Sequence, residues 1–148
     1  MATDPPVHPY ETLTAPDGEQ ADIDTEMVPV VRELWRRGYT TTACCQDVGE
    51  ATAGVRAQRE TPLGYGGNGF IAYHRGYALL KMPVLDAQRL VALLADTTTF
   101  GEHVRRPWRP GSWRVNVPLE PGGLAANAVL HLPRAQLPEL VGTLRQRR

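Results

Sequence analysis

The chain has 148 residues, 42% hydrophobic and 22% charged, with a formal net charge of zero. This is the composition of a soluble globular protein, long enough for one sizeable core and read as a single domain over residues 1–148. The longest apolar run, Leu90 to Ala95, is far too short to span a bilayer, so no membrane association is expected.

Residues 1–31 hold seven acids and no Lys or Arg, whereas residues 101–148 hold eight Arg against three Glu. Fifteen of the sixteen basic residues are Arg. A bias that uniform reflects composition more than choice, so the placement of each Arg carries more weight than the count. The N-terminus, MATDPPVHPY, has neither a basic segment nor an apolar one, so no secretory signal is expected. A cytoplasmic protein with reduced thiols follows.

Residues 1–9 are Pro-rich and read as loose. YETLT (10–14) alternates and meets Pro16-Asp17-Gly18, a strand and turn. A helix follows, with Asp24 or Thr25 as N-cap and Met27, Val31, Leu34 and Trp35 on one face, ended by Gly38. YTTTAC (39–44) reads as a buried strand. Residues 46–69 read as a long Gly-rich loop. FIAY, HRG and YALLKM read as a hairpin with His74 in its turn. Pro83 opens a helix to about Asp96. SWRVNVPL (112–119) places Trp113, Val115, Val117 and Leu119 on one strand face. Gly122-Gly123 turns the chain, ANAVLHL (126–132) returns as a strand, and a last helix carries Leu137, Leu140, Val141 and Leu144. No internal repeat is read. The predicted fold is α+β: a mainly antiparallel sheet with three helices, ferredoxin-like or a duplicated β-α-β arrangement.

The chain's two cysteines are adjacent, in TTTACCQDVGE (40–50). Neighbouring Cα atoms lie about 3.8 Å apart, below the disulfide range that begins near 4.4 Å, so the pair is no staple. Neighbours on a strand face opposite ways. Cys44 is expected to pack and Cys45 to be the exposed one, facing the start of the Gly-rich loop. Cys45 then reads as a nucleophile or a metal ligand. His74, His103 and His131 are candidate bases, and Asp47 a residue to orient one. The catalytic set is Cys45, Asp47 and His74; a metal, if bound, would take Cys45, His74 and His131. Gln46 is a substrate-binding candidate. The alternative is two small buried residues with no chemistry. No motif requires a cofactor, since C-x-x-C, H-E-x-x-H, G-x-S-x-G and the phosphate loop are all missing from the sequence.

VRELWRRGYTTTACCQDVGE resembles a pattern in small uncharacterised actinobacterial and phage proteins, where a Leu-Trp helix, a Gly and a Thr-containing strand lead to Ser-Cys-Gln and an acidic residue. The resemblance implies a recurring feature centred on Cys45, Gln46 and Asp47, with Cys44 in the serine position. It is more distantly similar to the Thr…Ser-Cys-Ser-Gly-Arg run of tRNA wybutosine-synthesis methyltransferases, from which QDVGE departs after the cysteine.

YGGNGF (65–70) reads as a hairpin or hinge segment before a strand rather than a phosphate cradle. RRPWRPGSWR (105–114) gathers Arg105, Trp108 and Arg109 as substrate-binding candidates for an anionic or aromatic small molecule. The same loop can bind a protein or nucleic acid, although zero net charge disfavours nucleic acid. Two functions follow: a small enzyme with a cysteine-centred site, or a non-catalytic binding module.

Overall fold

The computed structural model describes residues 7–58 and 68–146. The chain opens with an antiparallel hairpin, β1 (Tyr10–Thr14) against β2 (Gln20–Asp24), with Tyr10 opposite Asp24. Gly18 closes the turn at φ 90°, a conformation that glycine adopts without steric cost. A 3-10 turn (Thr25–Met27) leads into α1 (Val28–Arg36), whose stripe of Val28, Val30, Val31 and Leu34 is buried. Gly38, at φ 85°, ends it as a C-terminal glycine does. Asp24, expected to cap the helix, stands at the N-cap position of the 3-10 turn, while Met27 precedes α1, and the Asp24 side chain makes no capping bond. It is engaged elsewhere.

The main sheet is antiparallel. It contains β3 (Ala43–Cys45), β4 (Tyr77–Pro83), β5 (Arg114–Asn116) and β8 (Asn127–Pro133), in the order β3-β4-β8-β5. β6 (Leu119–Glu120) and β7 (Gly123–Leu124) form a small separate hairpin. α4 (Val84–Ala95) leaves β4, and α6 (Leu137–Gln146) leaves β8 through a 3-10 turn at Arg134–Gln136. One sheet face carries Ala78, Leu80, Met82, Ala128, Leu130 and Leu132, all buried with the apolar stripes of α1, α4 and α6 in one core. The α+β class with an antiparallel sheet holds.

Several expectations are corrected. Val48–Gln58, read as loop, is a helix, α2. Asp47 caps it, its Oδ1 accepting from the Glu50 N–H at 3.0 Å. FIAY is no strand, and YGGNGF precedes no strand: Asn68–His74 is a helix, α3. A short α5 (Gly101–Arg105) adds to these, so six α-helices stand where three were expected, among the described residues. Residues 59–67 of the Gly-rich segment lie outside the described residues. β3 begins only at Ala43. The SWRVNVPL alternation ends at Asn116: Trp113 is buried, but Val115 and Leu119 are exposed, because β5 is an edge strand and the chain leaves the sheet at Val117. Residues 7–9 are not loose, since His8 is buried.

The chain also contains a duplication. β4-α4 and β8-α6 share one burial pattern, half-buried and buried residues alternating along each seven-residue strand. Shifted by fifty residues, Ala78, Leu80, Pro83, Leu90, Val91 and Leu94 meet Ala128, Leu130, Pro133, Leu140, Val141 and Leu144. The equivalent residues Leu80 and Leu130 pair directly, so a pseudo-twofold axis passes between them. The symmetry extends outward. Cys44 pairs with Leu80 as Val115 pairs with Leu130. Asp86 accepts from the Thr40 N–H ahead of β3, and Gln136 donates to the Gly111 carbonyl ahead of β5. α1 packs on α6 as α5 packs on α4. From α1 onward the chain forms two α-β-β-α halves, preceded by the β1–β2 hairpin. The first carries α2 and α3 between its strands, and the second only the β6–β7 hairpin.

Candidate functional site

β3 sets the two thiols apart. Cys44 pairs with the buried Leu80 and packs against the core, while Cys45 pairs with Leu79 on the opposite face. Both are half-buried, so Cys45 is not the exposed thiol expected: His8 and Asp24 lie against it. Burial pushes the Cys45 thiol up to about 12, and the Asp24 carboxylate adds to the rise, against one backbone hydrogen bond from Asp47. Cys44 is likewise raised to about 12, by burial first and then by Asp24. A thiolate at neutral pH therefore requires a cation beside it.

The histidine at Cys45 is His8. Its Nδ1 lies 3.9 Å from Cys45 Sγ and 3.1 Å from Asp24 Oδ2, and its Nε2 lies 3.1 Å from Glu50 Oε2. Asp24 Oδ2 also accepts from the Gln46 N–H at 2.9 Å, which explains why it does not cap the helix after it. One donor atom from each of His8, Asp24 and Cys45 lies within 4.8 Å of the others. These atoms come from three segments: the N-terminal stretch, the end of β2 and the end of β3.

The other predicted residues lie around this cluster or away from it. Asp47, 2% exposed, caps α2 with one oxygen and accepts from the Gly76 N–H at 2.9 Å with the other. Gln46, 4% exposed, accepts from the Glu26 N–H and braces β3 to the turn before α1. His74 and His131 stack at 4.5 Å, and no contact joins either to Cys45 among the described interactions. His131 lies opposite Leu79, which lies opposite Cys45, so a further strand separates the two. Burial, then His74 and Arg114, lowers His131 to about 4; burial and Arg114 lower His74. His103 packs on Phe100.

The arginine–tryptophan loop leads into β5, at the edge of the sheet opposite β3. Three of its four arginines meet local acids: Arg105 pairs with Asp96, and Arg106 and Arg109 pair with Glu102, while Arg114 lies over the Tyr73 and Tyr77 rings. Trp113 is buried and donates to Gln136, while Trp108 is 78% exposed.

A groove of about 850 Å³ adjoins the cluster, lined by Glu26, Asp47 and Arg134 with Pro29, Leu137 and Val141 among its apolar walls. Arg134 pairs with Glu26, with Glu50 at 3.2 Å and with Asp47 at 3.5 Å. Glu50 in turn holds His8, so the groove and the cluster share one ionic network. Carboxylates outnumber cations in it, which opposes an unaccompanied thiolate and favours a bound cation. His8, Asp24, Glu50 and Arg134 were absent from the predicted set. The Asp47-x-x-Glu50 spacing is a helix-start signal that could have placed Glu50 on α2, but no local pattern brings residue 8 to residue 45.

Comparison with protein-family profiles, curated proteins and solved structures finds no match for the chain. No helix among the described residues is long and apolar enough to cross a membrane.

Proposed function

We propose that this protein is a small enzyme with a cysteine-centred site in which Cys45 acts as a metal ligand with His8 and Asp24, and in which a small molecule occupies the adjoining groove. One observation carries the reading: a thiol, an imidazole nitrogen and a carboxylate oxygen converge within 4.8 Å from three separate segments. Tetrahedral zinc, with Zn–N of about 2.0 Å and Zn–S of about 2.3 Å, sets N and S about 3.6 Å apart and N and O about 3.3 Å apart. The separations of 3.9 and 3.1 Å here are close to those values. Three protein ligands leave one coordination position for water or substrate, as catalytic zinc sites do. Such a cation polarises a bound oxygen and acidifies a bound water. The ligand role also suits Cys45 better than that of a free nucleophile, because a cation offsets the burial and the Asp24 charge that keep its proton on. Free thiols of this kind fit a reducing cytoplasm.

The test is zinc or cobalt binding by the whole chain. One ion per chain is expected, with Cys45 shielded from alkylation until a chelator is added. Cys45→Ser and Asp24→Asn should each weaken binding at least about tenfold. Alkylation of Cys45 indifferent to metal and chelator would refute the proposal. The alternative, a non-catalytic module binding a protein or nucleic acid through residues 105–114, draws support from the exposed Trp108 alone, since the arginines beside it have acidic partners.

A further inference from the structure

Resting on the metal reading, we infer that Glu50 is the positioning residue of the site: it holds the His8 ring by Nε2–H so that Nδ1 is the ligand atom. His8 belongs to no helix or strand, and its ring has two nitrogens either of which can bind a metal. Nδ1 faces Asp24 and Cys45, while Nε2 faces Glu50. Glu50 meets the ring at its other nitrogen and lies outside the three-residue group, so it is placed to orient and not to ligate. A carboxylate on the distal N–H of a ligating histidine fixes the ring's tautomer and raises its basicity.

The helix carrying Glu50 is shaped for this. Asp47 caps α2 and so fixes Glu50 in the first turn. Arg134 donates to both Glu50 oxygens at 3.2 Å, which restrains the carboxylate from the other side. Gly54 lies one turn further along, on the same face as Glu50. A Cβ there would stand 2.6 Å from a Val7 methyl, so the missing side chain lets Val7 lie on the helix and brings His8 against Glu50. Positions 50 and 54 together cradle residues 7 and 8.

The experiment measures cobalt and zinc affinity by competition with a chromophoric chelator for wild type, Glu50→Gln and Glu50→Ala. The ¹⁵N resonances of the His8 ring are recorded in the zinc-loaded wild type. Glu50→Ala should bind about 10- to 100-fold more weakly. Glu50→Gln keeps an oxygen that accepts from Nε2–H and should recover most of that loss, although it too removes the charge paired with Arg134. The ring should carry its proton on Nε2 and the metal on Nδ1. Wild type that binds neither ion overturns the metal reading and this inference together. Wild type that binds, with both variants equal to it or with the metal on Nε2, overturns this inference alone. If Glu50→Ala does not fold, Glu50→Gln and the wild-type resonances decide, and metal on Nδ1 with Nε2 protonated supports the inference.

Discussion

The two halves of the molecule share a frame and differ in what joins their strands. In the first half, α2 and α3 lie between β3 and β4; in the second, the β6–β7 hairpin lies between β5 and β8. Cys45, Asp47, Glu50 and His74 all belong to the first half's end-of-strand and insert. The second half answers with single side chains reaching that insert: Arg134 to Glu50 and Asp47, His131 to His74, and Arg114 to the Tyr73 carbonyl at 2.7 Å. Their equivalents in the first half, Val84 for Arg134 and Lys81 for His131, make no such contacts among those described. The shared frame is apolar and supplies stability. The first half's end-of-strand and insert supply Cys45, Asp47 and Glu50 to the site, and the N-terminal hairpin segment, outside both halves, supplies His8 and Asp24.

The sharpest way to break this comparison is at its axis. Leu80 and Leu130 are both fully buried and pair with each other. Leu80→Ala and Leu130→Ala should each cost about 2–5 kcal/mol in denaturant unfolding, and by similar amounts if the halves are equivalent scaffolds. A large disparity would show that one half carries the core.

Arg134→Ala tests the link between the halves. It leaves Glu26, Glu50 and Asp47 facing one another and should cost about 1–2 kcal/mol. Unlike the leucine effects, this loss should depend on salt, because exposed charges are screened. A salt-independent loss would place the contribution of Arg134 in packing instead.

The smallest expected effect is on acid stability. His131 faces His74 and Arg114, and its pKa falls from an ordinary value of 6.5 to about 4. The unfolded chain therefore takes up a proton between these pH values that the folded chain refuses. The contribution of His131 is complete above pH 6.5 and is lost as pH falls toward 4. For a half-buried ring, screened by solvent, the loss is on the order of 1 kcal/mol. His131→Gln should flatten stability over that window, and an unchanged pH profile would remove His131 as the cause.

Much of the frame was legible in the sequence. The stripe on α1, the Pro83 and Pro133 junctions and the apolar periods of α4 and α6 all follow from local spacing. Opposite facing of Cys44 and Cys45 follows from strand geometry alone. A duplicated β-α-β arrangement was one of the two topologies expected, but the repeat itself was not read, because its matching residues are scattered apolar and proline positions whose common meaning is a shared core. α2 was hidden because Gly49 and Gly54 look like loop residues. In the fold, a Cβ at Gly49 would meet the Arg75 backbone at 2.5 Å, and one at Gly54 would meet Val7. Each glycine records a close approach by a distant segment, which a reading of neighbours cannot detect.

The sequence by itself determined the α+β class, the core stripes of α1, α4 and α6 and the opposite facing of the two thiols, because each depends on periodicity over a few residues. Tertiary structure alone decided which histidine meets Cys45. His74 and His131 had the more promising local settings, yet His8 reaches the thiol across 37 residues of chain, held by Asp24 and Glu50. Long-range pairing depends on how the elements pack, and no spacing along the chain encodes it.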